Sequence, residues 1–122
     1  MIVNIYKENC SLNINNLPQL QLNGLEMCVR SLYAEFNKEI SNTHITLNSI
    51  MVERSEYNPR QEIMSFNNNS FFPRKLDFTP SVRTWYPVKT LYLNEASIDI
   101  KIDGSEIDMI KKLHLQLEFR EI

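Results

Sequence analysis

The sequence predicts an all-β chain: an antiparallel β-sandwich, a single domain over residues 1–122, with at most one short helix. Three observations predict it. In "KKLHLQLEFREI" (111–122), Leu113, Leu115, Leu117 and Phe119 alternate with His114, Gln116, Glu118 and Arg120. In "SIDIKID" (97–103), Ile98, Ile100 and Ile102 alternate with Asp99 and Lys101. Period-two spacing gathers one residue set on one face of an extended strand, whereas a helix would scatter it around its circumference. Third, much of the remaining chain is short β-rich runs separated by Asn, Pro or charge, the pattern of a sandwich or barrel. Strands with one apolar and one wet face favour antiparallel sheets.

From the amino terminus, "MIVNIY" (1–6), "CSLNIN" (10–15) and "LQLNG" (20–24) are the first extended runs. Residues 25–40, "LEMCVRSLYAEFNKEI", carry two readings. Leu25, Val29, Leu32, Tyr33, Phe36 and Ile40 recur at helical spacing, and local evidence leans that way. The same stretch is also a strand if Leu25, Met27 and Val29 alternate and Leu32, Ala34 and Phe36 continue after a one-residue slip, which would be a bulge. "ITLNSIMVER" (45–54), "QEIMSF" (61–66) and "VKTLYL" (88–93) are further strands. Pro18, Pro59, Pro73, Pro80 and Pro87 fall between the runs, where a residue lacking an amide donor belongs.

Asp103-Gly104 after the isoleucine strand signals a tight hairpin, because both central residues of a type I′ turn need positive φ. That hairpin would set Lys101 opposite Glu106, Ile100 opposite Ile107 and Asp99 opposite Asp108. The alternation breaks at "IKK" (110–112), which predicts a bend or bulge before the final strand. Glycine is confined to Gly24 and Gly104, and the abundant asparagines are expected to take its place in turns. "NNNS" (67–70) is short enough to be a loop.

The bulk numbers exclude several functions. Thirteen basic against fifteen acidic side chains give a net charge of −2, without the basic excess that gripping a nucleic-acid backbone requires. No apolar run approaches the roughly 20 residues that span a bilayer, so no membrane association is expected. A charge at Lys7 interrupts the first apolar run, which argues against a secretory leader and for the cytoplasm or nucleus of a cell. Cys10 and Cys28 match no metal-ligand spacing and are expected as reduced, buried small hydrophobes.

Catalytic signals are weak. His44 and His114 are expected as solvated or locally hydrogen-bonded imidazoles. No G-x-S-x-G elbow or glycine-rich phosphate loop is present. Asp99, Asp103, Glu106 and Asp108 lack EF-hand spacing and read as a solvated acidic rim. No enzyme activity, cofactor or metal is expected. The most informative segment is "NNNSFFPRKLDFTPSVRTWYP" (67–87), long for a connection and mixing Phe71, Phe72, Phe78, Trp85 and Tyr86 with Arg74, Lys75 and Arg83. Aromatic and arginine enrichment marks protein interfaces. The same composition also suits aromatics plugging the open end of the sandwich, or stacking on bases. The candidate partner-binding residues are Phe71, Phe72, Arg74, Arg83, Trp85 and Tyr86.

Three stretches together carry a resemblance: "LQLNGLEMCVRSLY", "WYPV" before a strand, and "IDIKIDGSEIDMIKKLHLQLEFR", an alternating strand, an Asp-Gly turn and a closing strand ending in Phe-Arg. Their order resembles that of jelly-roll capsid-associated, minor virion proteins of Polinton/Maverick-type and related invertebrate DNA viruses. The resemblance implies a jelly-roll-like sandwich in which residues 25–36 are a strand. It implies a non-enzymatic structural role in the virion or the host cytoplasm or nucleus. The implied partners are copies of the chain itself, as a homo-oligomer, or a larger coat protein. A monomeric β-sandwich module recognising a protein or glycan through residues 71–86 is the alternative.

Overall fold

The computed structural model describes residues 1–69, 71–104 and 109–122. Among them are nine strands: β1 (Ile2–Cys10), β2 (Asn13–Ile14), β3 (Leu25–Phe36), β4 (Thr43–Ser49), β5 (Glu62–Asn68), β6 (Lys75–Phe78), β7 (Tyr86–Pro87), β8 (Ile98–Ile102) and β9 (Ile110–Glu121), with one 3-10 turn at Leu93–Glu95. They form two antiparallel sheets. One has the order β1-β9-β3-β6, with β7 also on β3, and the other the order β2-β8-β4-β5. The pairing is nested: β1 with β9, β2 with β8, β3 with β6, β4 with β5. The chain is thus one long two-stranded ribbon wound so that alternate pairs fall in opposite sheets.

The core lies between the sheets. The first contributes Val3, Ile5, Met27, Val29, Leu32, Ala34, Phe36, Leu113, Leu115, Leu117 and Phe119; facing them are Ile45, Leu47, Met64, Ile98, Ile100 and Ile102. The terminal strand β9 is central, flanked by β1 and β3, and this is why its alternation is so strict: one face meets the core along its whole length.

Residues 25–36 form a strand, and the register with β9 shifts between Val29 and Ser31. That slip lets both Met27–Val29 and Leu32–Ala34–Phe36 point inward. A second shift, between Glu35 and Phe36, leaves Lys111 as the extra residue of β9, the bulge its broken alternation predicted. Asparagine does stand in for glycine: Asn9, Asn16 and Asn42 all have positive φ.

The hairpin expected at Asp103-Gly104 is not formed. Both residues have positive φ, at 51° and 76°, as such a turn requires. Yet β8 and β9 lie in different sheets. Ile100 pairs with Leu47 and Lys101 with Thr46, while the Ile100 amide donates to the Leu12 carbonyl on the other side. The pairings expected with Glu106, Ile107 and Asp108 lie outside the described residues. Alternation specifies which face of a strand is buried, not which strand lies beside it. "VKTLYL" is likewise not a strand: it is held by isolated bridges, Val52 to Val88 and Gln21 to Tyr92, before the 3-10 turn.

Candidate functional site

Residues 37–42, 71–74 and the Asp103-Gly104 pair meet at one end of the sandwich. The Phe36 amide donates to the Arg74 carbonyl (2.9 Å), Ile40 to Pro73 (2.7 Å), Asn42 to Asn68 (2.9 Å) and Asp103 to His44 (2.8 Å). The buried Asn68 amide adds a bond from Nδ2 to the Ile40 carbonyl, 2.8 Å. On this braced base the chain presents Phe71 and Phe72 to solvent, 93% and 60% exposed, ring edge to ring face at 5.9 Å. Neither plugs the sandwich. Arg74 is exposed beside them and makes no ion pair among the described residues.

Arg83, Trp85 and Tyr86 are elsewhere. The Arg74 carbonyl meets Phe36 at one end of β3, whereas Tyr86 pairs with Met27. Nine residues at about 3.3 Å each put the two groups roughly 30 Å apart. The six residues therefore divide into an exposed tip and a buttress. In the buttress, Arg83 Nη1 donates to Glu118 Oε2 at 3.0 Å, and Arg30 approaches Glu118 at 4.0 Å. Arg120 lies over the Trp85 ring at 3.7 Å and donates to Glu26 Oε1 at 2.6 Å. Tyr86 packs against the core. Beneath these side chains Cys28, on the outward face of β3 opposite Glu118, is fully buried. Burial, and then the Glu118 carboxylate, push its thiol pKa up. Cys28 and the half-buried Cys10 are both free thiols.

Residues 79–85 form an arch. On either side of it β6 and β7 pair with β3, but seven residues of the arch face four of β3, so the chain stands away from the strand. Below the arch, on the side facing β5, is a half-open notch of about 340 Å³ of mixed character, lined by Val29, Met64, Phe78 and Tyr86 together with Ser65, Ser81 and Thr84. Phe66 and Phe78 stack face to face at 3.8 Å beside it. Glu62 reaches this region: after burial, its carboxylate is what raises the Tyr86 phenol pKa.

The outer face of the second sheet carries a feature with no local sequence signal. His44 Nδ1 is 2.8 Å from Asn67 Oδ1 and Nε2 is 2.8 Å from Ser65 Oγ. An amide oxygen only accepts, so Nδ1 carries a proton, and in the neutral ring Nε2 then accepts from the serine hydroxyl. The residues are exposed neighbours on paired strands, His44 opposite Asn67 and Thr46 opposite Ser65. Beside them runs a groove of about 630 Å³, with Arg54, Arg60 and Lys101 against Asp99 and Glu62. His114, on the other sheet, stacks on Tyr6 at 4.2 Å and bonds to Asn4.

Among the described residues no three His, Cys, Asp or Glu side chains cluster to hold a metal, and no helix is long and apolar enough to cross a membrane. No family model, no curated protein and no solved structure matches this chain.

Proposed function

We propose that this chain is a non-enzymatic structural and assembly protein, a small virion or capsid-associated β-sandwich that joins copies of itself or a larger coat protein. The observation that carries the reading is the exposed Phe71–Phe72 pair on a braced loop. Adjacent exposed aromatics are the usual anchors of an interface. The nested strand pairing supports reading the sandwich as a jelly roll, an architecture that recurs in capsid and lectin domains. β2 and β7 are two residues long and β1 carries Lys7 on its core-facing side, devices that blunt edge-to-edge pairing, whereas the seven-residue edge strand β5 offers a sheet edge as a second contact beside the tip.

Burying both rings is worth about 3–6 kcal/mol. Association costs an estimated 4–15 kcal/mol in lost translational and rotational freedom. A single contact of this kind is weak, as an assembly built from many copies requires. The test is sedimentation equilibrium from micromolar to millimolar, alone and with whatever larger protein co-purifies from the native source. Phe71→Ser/Phe72→Ser is expected to abolish association with melting unchanged. A wild-type protein that stays monomeric alone and joins no larger protein overturns the reading.

A further inference from the structure

We infer that the groove on the outer face of the second sheet binds an acidic saccharide, a sugar chain that carries sulfate or carboxylate groups among its hydroxyls. The site is separate from the Phe71–Phe72 tip and independent of the assembly reading.

Strand register builds the floor. Asn13 pairs with Asp99, Asp99 with Asn48, and Asn48 with Glu62, so one polar row crosses β2, β8, β4 and β5. The neighbouring row carries Lys101, Thr46 and Ser65. Directly paired residues share a face of the sheet, here the one turned away from the core. Asn13 Nδ2 donates to Asp99 Oδ1 within the first row.

Residues 50–61 form the wall, and side-chain amides tie them down. Asn48 Nδ2 donates to the Arg60 carbonyl at 2.8 Å, Gln61 Nε2 to the Val52 carbonyl at 2.9 Å, and Asn58 Nδ2 to the Glu62 carbonyl at 3.0 Å. The Glu62 amide returns a bond to Asn58 Oδ1 at 2.9 Å. Gln61 is buried with φ at 54°, a left-handed conformation that a non-glycine residue keeps only where its surroundings enforce it. The wall is therefore built rather than slack, and it brings Arg54 and Arg60 to the groove.

The lining sets two demands at once. Arg54, Arg60 and Lys101 make no ion pair among the described residues, although Asp99 and Glu62 line the same groove. Unpaired cations call for an anion. Carboxylates repel a bare anion and accept from hydroxyl donors. A neutral sugar would answer only the carboxylates, and a simple oxyanion only the cations. A single-stranded nucleic acid needs aromatic platforms for its bases, and no Phe, Tyr or Trp is among the lining residues. An acidic saccharide answers both sets. The volume, about 630 Å³, suits a ligand larger than a lone ion; ligand clefts run to roughly 300–1,000 Å³.

The probe is a heparin tetrasaccharide, followed by calorimetry and by backbone amide shifts. An unsulfated, carboxylated hyaluronan tetrasaccharide, neutral maltotetraose and inorganic sulfate are run beside it at matched ionic strength. Binding of either acidic sugar with shifts on residues 44–48, 54–62 and 99–101 supports the site, and the tighter of the two identifies the group as sulfate or carboxylate. Maltotetraose and inorganic sulfate are each expected to bind about tenfold or more weakly. Arg60→Gln and Lys101→Gln are each expected to weaken the acidic sugar about tenfold with melting unchanged. Lys111→Gln, at an exposed position of β9 on the other sheet, is expected to leave it unaffected. Glu62→Ala separates the saccharide from a plain anion: it weakens a ligand whose hydroxyl the carboxylate accepts and strengthens one that the carboxylate repels. Inorganic sulfate binding as tightly as the sugars, a gain in sugar affinity with Glu62→Ala, or an equal loss with Lys111→Gln overturns the assignment. So does the absence of binding at millimolar sugar.

Discussion

Arg120 lies over the ring of Trp85 at 3.7 Å while its Nε donates to Glu26 at 2.6 Å, so one guanidinium ties the 79–85 arch to both β9 and β3. The arch lacks strand pairing of its own, and this stacking and the Arg83–Glu118 pair both tie it to the sheet. Trp85→Ala is expected to lower stability by roughly 1–2 kcal/mol, combining lost apolar contact with a cation–π term. A double-mutant cycle with Arg120→Ala is expected to give a coupling of about 0.5–1 kcal/mol. Urea midpoints measure both. A coupling of zero would mean that the two side chains stack without energetic consequence.

The terminal strand makes a larger claim. Leu115 is fully buried at the centre of β9, between Ile5 of β1 and Leu32 of β3. Leu115→Ala is expected to cost about 2–5 kcal/mol. Removing residues 113–122 deletes Leu113, Leu115, Leu117 and Phe119 together, at a summed cost that reaches a domain's usual total of about 5–15 kcal/mol. The truncated chain is expected to lose its cooperative melting transition, followed by circular dichroism.

The faces of the strands were legible in advance, and the neighbours were not. Ile98, Ile100, Ile102 and the β9 leucines announce their buried sides by alternation alone. That β8 and β9 occupy opposite sheets depends on pairings with β4, β1 and β3, which lie far off in sequence. Residues 25–36 mimicked a helix for a definable reason: the bulge makes the inward residues step from Val29 to Leu32, and a step of three is a helical spacing. The candidate site divided the same way. Composition left Phe71 and Phe72 open between a plug and an interface, and only the register along β3 separates them from Arg83, Trp85 and Tyr86. Ser65, His44 and Asn67 converge through the β4–β5 register, which no local motif encodes.

Stability is expected to fall at high pH. Burial raises the Cys28 and Cys10 thiol pKa values above 9.0, and burial raises the Tyr33 and Tyr86 phenols above 10.0, with Glu35 and Glu62 respectively adding to it. An acid whose folded pKa is raised stays protonated in the native state after the unfolded chain has released its proton. Its contribution is whole below the unfolded value and is lost as pH climbs through the folded one. Urea midpoints should therefore be level between pH 7 and 8 and decline above 9.0, with a further decline above 10.0. Cys28→Ala should flatten the first part of the decline, because Cys28 is fully buried. A midpoint that rises above pH 9.0 would contradict the assignment.

The Ser65–His44–Asn67 array has the distances of a nucleophile, a base and an orienting group, 2.8 Å at each step, and so puts the non-enzymatic reading to its hardest test. Its surroundings argue that it is a cross-strand hydrogen-bond ladder. All three side chains are exposed on an open sheet face, where water competes for each bond and screens any charge that develops. The orienting group is a neutral amide, which fixes the tautomer without a carboxylate's stabilisation of the imidazolium. Hydrolysis of an activated chromogenic ester is therefore expected to proceed at the same slow rate with wild type and with Ser65→Ala. His44→Ala should lower that rate by no more than the loss of one exposed imidazole, which catalyses such esters without any serine. A burst of product stoichiometric with protein, present in wild type and absent in Ser65→Ala, would establish an acyl-enzyme and overturn the non-enzymatic assignment.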